Sequence, residues 1–345
     1  MSARSGLVMI LAMLVADPAL ALAQRTFVSG LGVDTNPCSI AAPCRSFDVA
    51  IGKTIAGGEV LAIDSAGYGP VTITQSVSIT AAPGVYAGIS VSAAADTGIK
   101  NSAANTGVVV LRGLSINSTG GTVGIQYNGV GLTVEDCSIS GFNYGIVLLS
   151  TVATIRNTVI TGSGLTAVYI VDGKTTLEKV LIDRAMAGIE LKGAFGTAML
   201  AMRSSTISNV ADGVLLSANA KASLDGVTIN LATDAGVLAK GDAFGGQSDV
   251  QLIRSQVVNS LQGVVSLAPA GGGSLAHVTD SLVARNVLAL KAGPVGKLTV
   301  SHSTIVSNAV GINSVGSSVS TTQDNPLADN TIQDIQGTLP PVALD

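Results

Sequence analysis

One apolar column returns every 21 to 29 residues along most of this chain: Leu111, Val134, Ile155, Leu177, Met202, Leu224, Ile253, Val278 and Val300. Five residues after each stands a second aliphatic: Ile116, Ile139, Ile160, Ile182, Ile207, Ile229, Val258, Val283 and Ile305. A third column follows a Gly or Ala, at Ile125, Ile146, Val168, Ile189, Val214, Val237, Val264, Leu290 and Ile312. A unit this short cannot bury its own apolar face. Stacking the units buries all of them at once, so three strand-like segments repeating in the low twenties specify a solenoid. The step between the first two columns is constant, and nearly all length variation falls between the third column and the next first-column residue. Insertions therefore leave the solenoid at one corner, which is where binding loops belong.

Composition agrees with a packed β-solenoid. Of 345 residues, 47% are hydrophobic and 12% charged, with 41 Gly and no Trp, a balance that excludes disorder. A formal charge of −4 gives no reason to expect a nucleic-acid partner. Arg4 precedes an apolar run from Leu7 to Leu22, and Ala21-Leu22-Ala23 matches a small-x-small cleavage site before Gln24. Residues 1–23 thus read as a secretory signal peptide, which places the mature chain in the periplasm or outside the cell. Asp17 and Pro18 interrupt the run and argue against a membrane anchor, and no later segment is long and apolar enough to span a bilayer.

Residues 24–57 read as a cap over the open end of the solenoid. The pattern predicts a strand at 26–29, a turn-rich loop holding Cys38 and Cys44, and a helix over 47–54 capped by Ser46. With five residues between them and an exported context, the two cysteines are expected to form a disulfide. Cys137 lies within a coil and is expected to be buried. Irregular coils follow at 60–63, 71–73, 77–79 and 89–91. The β-helix is assigned to 58–316, with its regular coils over 108–312, and residues 317–345 to a C-terminal cap or tail.

The coil pattern Gly-Ile-x-x … Val-x-(Asp/Asn)-x-x-Ile, as in Gly145-Ile146 and Ile155-Arg-Asn-Thr-Val-Ile160, resembles the right-handed parallel β-helix of the pectin-lyase-like superfamily. The stretch Phe27-Val-Ser-Gly-Leu-Gly-Val-Asp34-Thr-Asn-Pro-Cys38, continued by Ala42-Pro-Cys44-Arg-Ser-Phe47, is similar to the entry motif of exported bacterial β-helix proteins. The resemblance covers essentially the whole mature chain. It implies an all-β solenoid with a helical N-terminal cap and an irregular C-terminal cap, and it implies no single activity, because many functions share this architecture.

Strand alternation puts the residue after each inward aliphatic on the outer surface. After the first column these are Arg112, Glu135, Arg156, Glu178, Arg203, Asp225 and Arg254, which alternate in sign over seven coils. This is expected to be a structural charge ladder that holds coil register. After the third column the outer residues are Gln126, Val147, Tyr169, Glu190, Leu215, Leu238, Val265, Lys291 and Asn313. A stripe with Val147, Tyr169, Leu215, Leu238 and Val265 exposed together is expected to meet the C-terminal tail, a second subunit or a ligand.

Catalytic equipment is sparse. Hydrolysis of a glycan needs two carboxylates flanking the bond, and Glu190 has no acid at the equivalent position of either neighbouring coil, where Tyr169 and Leu215 stand. Both histidines have ordinary places: His302 falls on a turn position shared with Asp136, Asn157, Ser204 and Asp280, and His277 on an outward position shared with Thr133, Thr154, Ser223 and Thr299. The inserted loops are the better candidates. Lys192-Gly-Ala-Phe195-Gly and Lys240-Gly-Asp242-Ala-Phe244-Gly are near-copies two coils apart. Each offers a cation and an aromatic that suit a sugar, unless the Phe folds down to cover the base of its own loop. Asp242 and Asp249 show no spacing of a calcium loop, and no metal or cofactor is expected. The chain is therefore read as an exported structural, adhesive or polysaccharide-binding β-helix protein. A polysaccharide lyase or hydrolase with Glu190 as its acid is the alternative.

Overall fold

The computed structural model describes residues 22–92, 96–101, 107–314, 318–322 and 324–337, so the signal peptide expected over 1–23 lies almost wholly outside the described residues. The chain winds as a right-handed parallel β-helix. A first sheet of thirteen parallel strands, from Ala23–Val28 to Ser318–Thr321, carries the first column. A second sheet of twenty strands carries the other two columns. The stacked aliphatics face inward as one continuous core, with Leu111, Val134, Ile155, Leu177, Met202 and Leu224 all at 0% exposure. Each position sees its own counterpart one coil away, as Val134 does with Leu111 on one side and Ile155 on the other.

Three separate strands per coil were expected. In four central coils the second and third segments instead form single strands, Val159–Val171, Leu181–Lys192, Thr206–Ser217 and Thr228–Lys240. Each bends at one residue in the left-handed region: Gly162, Arg184, Asn209 and Leu231. The turn out of the first sheet uses the same device in every regular coil, at Gly113, Asp136, Asn157, Lys179, Ser204, Gly226, Arg254, Asp280 and His302. One such residue turns the chain without an added loop. Gly, Asn and Asp recur there because they tolerate positive φ best.

Buried turns hold their amides with side-chain ladders. Ser255 Oγ accepts from Val227 N, Ser281 Oγ from Ser255 N and Ser303 Oγ from Ser281 N, each at 3.1 Å. At the next turn Asn286, Asn308 and Asn330 accept from the amides of Ser260, Asn286 and Asn308 at 2.9–3.0 Å. These bonds replace the sheet hydrogen bonds that a turn would otherwise leave unmade inside the core.

One coil is out of register with the sequence reading. Leu224 pairs with Leu252, and Ile229 with Val257, so these two residues occupy the inward columns in place of Ile253 and Val258. Ile253 lies beside Asp225 on the outer face, and Arg254 sits on the turn. Adjacent aliphatic pairs at 252–253 and 257–258 hide a one-residue shift, which only strand pairing resolves.

The N-terminal segment supplies the first strand, Ala23–Val28, paired to Thr54–Ala62. Helix Phe47–Gly52 covers the core end, with the Ser46 hydroxyl capping Val49 N and Phe47 packed on Tyr68 at 4.9 Å between ring centroids. It stops at Gly52 because Thr54 already enters a strand. Cys38 and Cys44 are disulfide-bonded. Strand pairing continues past residue 316: Ser318–Thr321, Leu327–Ala328 and Gln333–Gln336 pair with the preceding coil and add another turn. Among the described residues no helix is long and apolar enough to cross a membrane.

Candidate functional site

The near-copy loops stand where the third column hands over to the first sheet. Lys192, Ser217 and Lys240 are register partners, so the loops lie on alternate coils, about 10 Å apart at ~4.8 Å per coil. Both phenylalanines point into solvent: Phe195 is 100% exposed and Phe244 97%. The sequence left open whether they cover their own loop bases. They do not.

Carboxylates fix this presentation. Asp172, buried on the preceding coil, accepts from the amides of Ala194 (3.0 Å), Phe195 (3.2 Å) and Gly196 (3.0 Å). Asp242 does the same within its own loop, accepting from Phe244 N at 3.0 Å and Gly246 N at 2.7 Å. Charge-assisted bonds to backbone amides are the strong kind, so the backbone of each loop is tied down beside its aromatic residue. Gly246 has no room for a side chain, because a Cβ there would lie 2.8 Å from the Asp242 carboxylate. Asp242, which the sequence offered as a ligand-binding residue, thus serves as the loop's internal anchor.

Beside these loops, the outer face of the first sheet forms a cleft of about 340 Å³ lined by Lys221, Gln247, Asp249, Leu275 and Lys297. A second hollow of about 250 Å³ shares Lys221 and Asp249 and extends to Met199 and Gln251. Together they run across the coils, parallel to the solenoid axis. Asp249 Oδ1 is buried here and receives no hydrogen bond from the protein. The sequence did not single out this groove, because its residues lie a coil apart and only stacking brings them together.

The charge ladder closes at its ends. Arg112 donates to Glu135 Oε2 (2.6 Å), Arg156 pairs with the other oxygen, and Arg254 reaches back from its turn to Asp225 at 2.6 Å. Arg112, then burial opposed by Arg156, sets the balance that holds the Glu135 carboxyl below its ordinary range. Glu178 and Arg203 are register partners yet form no ion pair within 4 Å among the described residues.

On the second sheet, Val147, Tyr169, Glu190, Leu215, Leu238 and Val265 do form one axial row. Most are half-buried, and Val265 is buried, so the stripe is less open than the sequence implied. The described C-terminal segment does not cover it, being used for the added coil. Glu190 is not isolated. Its Oε2 lies 3.4 Å from Thr166 Oγ1, and burial, then Asp234 and Glu190, raise the Asp212 carboxyl above its ordinary range. Asp212 enters from the bend before the third column, a position that a comparison of outward third-column residues alone does not sample. Tyr169 is raised by burial and by the charge of Glu190, and its ring lies 6.0 Å from that of Tyr144. Among the described residues no three His, Cys, Asp or Glu side chains are placed to hold a metal ion.

His277 Nδ1 hydrogen-bonds Thr299, and His302 pairs with Asp324 at 2.8 Å across the last coils. Cys137 is a buried thiol that burial pushes up to about 11.

Known proteins match this geometry at the level of fold. The A-module of the mannuronan C-5 epimerase AlgE6 of Azotobacter vinelandii aligns with a TM-score of 0.57 at 13% identity, covering 87% of this chain and 97% of that one. The pectate lyase Pel9A aligns at 0.41 and 15% identity over 91% and 78% of the two chains, and the Dettilon tailspike protein at 0.45 and 11% over 90% and 68%. No curated protein sequence matches the chain. A family model described as the right handed beta helix region matches residues 144–332, the coils whose columns, turns and ladders are set out above. With that match spanning more than half its length, the chain belongs to the right-handed β-helix family.

Proposed function

We propose that this chain is a polysaccharide-binding β-helix protein, with a structural or adhesive role at the cell envelope or outside the cell. One observation carries the reading: Phe195 and Phe244 are held fully in water by carboxylates that organise their loops. Leaving a Phe exposed forgoes roughly 1.5–3 kcal/mol of burial, and a loop free to relax would recover part of it. Aromatic tips set on alternate coils suit the apolar faces of successive sugars in an extended chain. The fold is shared with a mannuronan C-5 epimerase module, which supports a glycan as the ligand class.

Turnover is the second reading, favoured by the raised Asp212 carboxyl beside Glu190. That pair lies on the outer face of the second sheet, across the loop corner from the cleft. A glycan bound along the cleft therefore does not reach it.

A panel of soluble glycans, with affinity electrophoresis and product analysis on the same samples, separates the two. The expected result is retention without release of reducing or unsaturated ends, and a loss of about tenfold or more in affinity for Phe195→Ala/Phe244→Ala. Product release that Glu190→Gln abolishes would establish the catalytic reading. If no glycan is retained and none is cleaved, the stripe of Val147, Leu215 and Leu238 becomes the surface to pursue, as a self-association face read by solution mass.

A further inference from the structure

We infer that two copies of this chain pair face to face, running in opposite directions, through the axial row on the second sheet, with Glu190 of each copy meeting Lys291 of the other. The row is Val147, Tyr169, Glu190, Leu215, Leu238, Val265, Lys291 and Asn313, one residue per coil. It lies on a different sheet from the cleft, so the inference goes beyond the glycan reading and does not rest on it.

The order of residues along the row is self-complementary. Leu238 stands midway between the acid and the base of the row, two coils from Glu190 and two from Lys291. A two-fold axis through Leu238, parallel to the strands, reverses the order of the coils and leaves the row facing its own copy. Leu238 then meets the partner's Leu238, Leu215 meets the partner's Val265, and Glu190 meets the partner's Lys291, the last two contacts made twice by symmetry. An apolar centre is flanked on both sides by an ion pair, and Tyr169 closes each end against the partner's Asn313.

Other placements fail on the same residues. Moving the axis half a coil toward Leu215 sets Glu190 against the partner's Val265 and Lys291 against the partner's Tyr169. Two copies running in the same direction, about a two-fold axis along the row, set Glu190 against the partner's Glu190 and Lys291 against the partner's Lys291. Each alternative leaves a charge covered without a counterion or facing its like, so the row selects the antiparallel register.

The face is large enough for a stable pair. From Val147 to Asn313 the row spans seven coil steps, about 34 Å, and strands such as Tyr144–Leu149 extend about 20 Å across it. That footprint is about 700 Å² per copy, close to the roughly 800 Å² per partner of a standard interface. Lys240, two residues beyond Leu238, is exposed at the rim beside its loop, where its ammonium stays in water. An axis parallel to the strands also keeps the loop corners of both copies on one side, so the dimer presents four aromatic tips together. Pairing covers the surroundings of Glu190, which makes this dimer and turnover at that residue mutually exclusive.

The test is the solution mass of the mature chain by sedimentation equilibrium, over about 1–100 μM. Wild type is expected to be a dimer. Glu190→Lys and Lys291→Glu each set like charges against one another at two places and should weaken association at least tenfold. Glu190→Lys/Lys291→Glu in one chain recreates the pair with its signs reversed and should restore the dimer, which keeps the test in force if either single variant misfolds. A monomer across the range, or a trimer, overturns the inference. So does a dimer that the folded single variants leave intact, or a folded double variant that stays monomeric. Glycan retention by the monomeric variants reads the binding proposal separately, so the two fail independently.

Discussion

Asp212 shows how a single residue departs from what its column predicts. Its carboxyl is raised by burial, then by Asp234 and Glu190, and one of its oxygens is buried without a hydrogen bond. A folded pKa above the unfolded one means that the fold prefers the protonated acid. That contribution is complete below the unfolded value near 3.8 and is lost as pH rises through the raised value. Asp212→Asn keeps an acceptor for the Ala235 amide and removes the charge. The variant should melt a few degrees higher than wild type at pH 7, with the gain shrinking as pH falls toward 4. A constant difference across that range would show that charge is not the cause. Sequence reasoning missed this group because it compared outward residues of one column, whereas Asp212 faces Glu190 from a neighbouring bend. Phe195 and Phe244 were legible as loop residues, but their exposure was not, since it depends on Asp172 from another coil.

At the scale of elements, the columns were readable because each inward position repeats the same chemistry, and strand pairing returns them in nearly every coil. They failed at 252–253 and 257–258, where two adjacent aliphatics satisfy either register and only strand pairing breaks the tie. The asparagine ladder was not legible at all, since an Asn in a turn signals left-handed backbone or a surface as readily as burial. Asn308 is 1% exposed, donates to the carbonyls of Val283 and Val306, and accepts from the amide of Asn286. Removing the side chain strands those groups inside the core, at about 1–3 kcal/mol for each one left unsatisfied. Asn308→Ala should therefore lower the urea midpoint by an amount equivalent to at least 2 kcal/mol, allowing for some repair by water. Asn313→Ala, which removes an exposed hydrogen bond from Nδ2 to Gln336 Oε1 on the outer face of the same coil, is the comparison and should cost less, about 1 kcal/mol. Equal losses for the two would show that the ladder adds no stability.

The whole molecule is close to one-dimensional: each coil touches only its neighbours, so local stability depends on how many neighbours a coil has and how continuous its strands are. The central coils have both advantages. Leu181–Lys192 and Thr206–Ser217 are single long strands with partners on each side. The two ends differ. The first coil is closed by helix Phe47–Gly52 and by the Cys38–Cys44 loop, which bridges to Val28 through Cys44. At the other end, Gln333–Gln336 pairs among the described residues with Val310–Asn313 alone, and most of its residues are exposed. Opening should therefore start at the C-terminal coil and move inward, well before the central coils unfold. Native-state hydrogen exchange reads this directly. Amides of 318–321 and 333–336 should exchange first, those of 54–62 later, and those of 181–217 last, with protection rising coil by coil from the C-terminal end. Uniform protection along the solenoid would mean that it unfolds as one cooperative block. In that case the loop edge, which sits on the central coils, would owe its rigidity to the whole helix and not to its own neighbours.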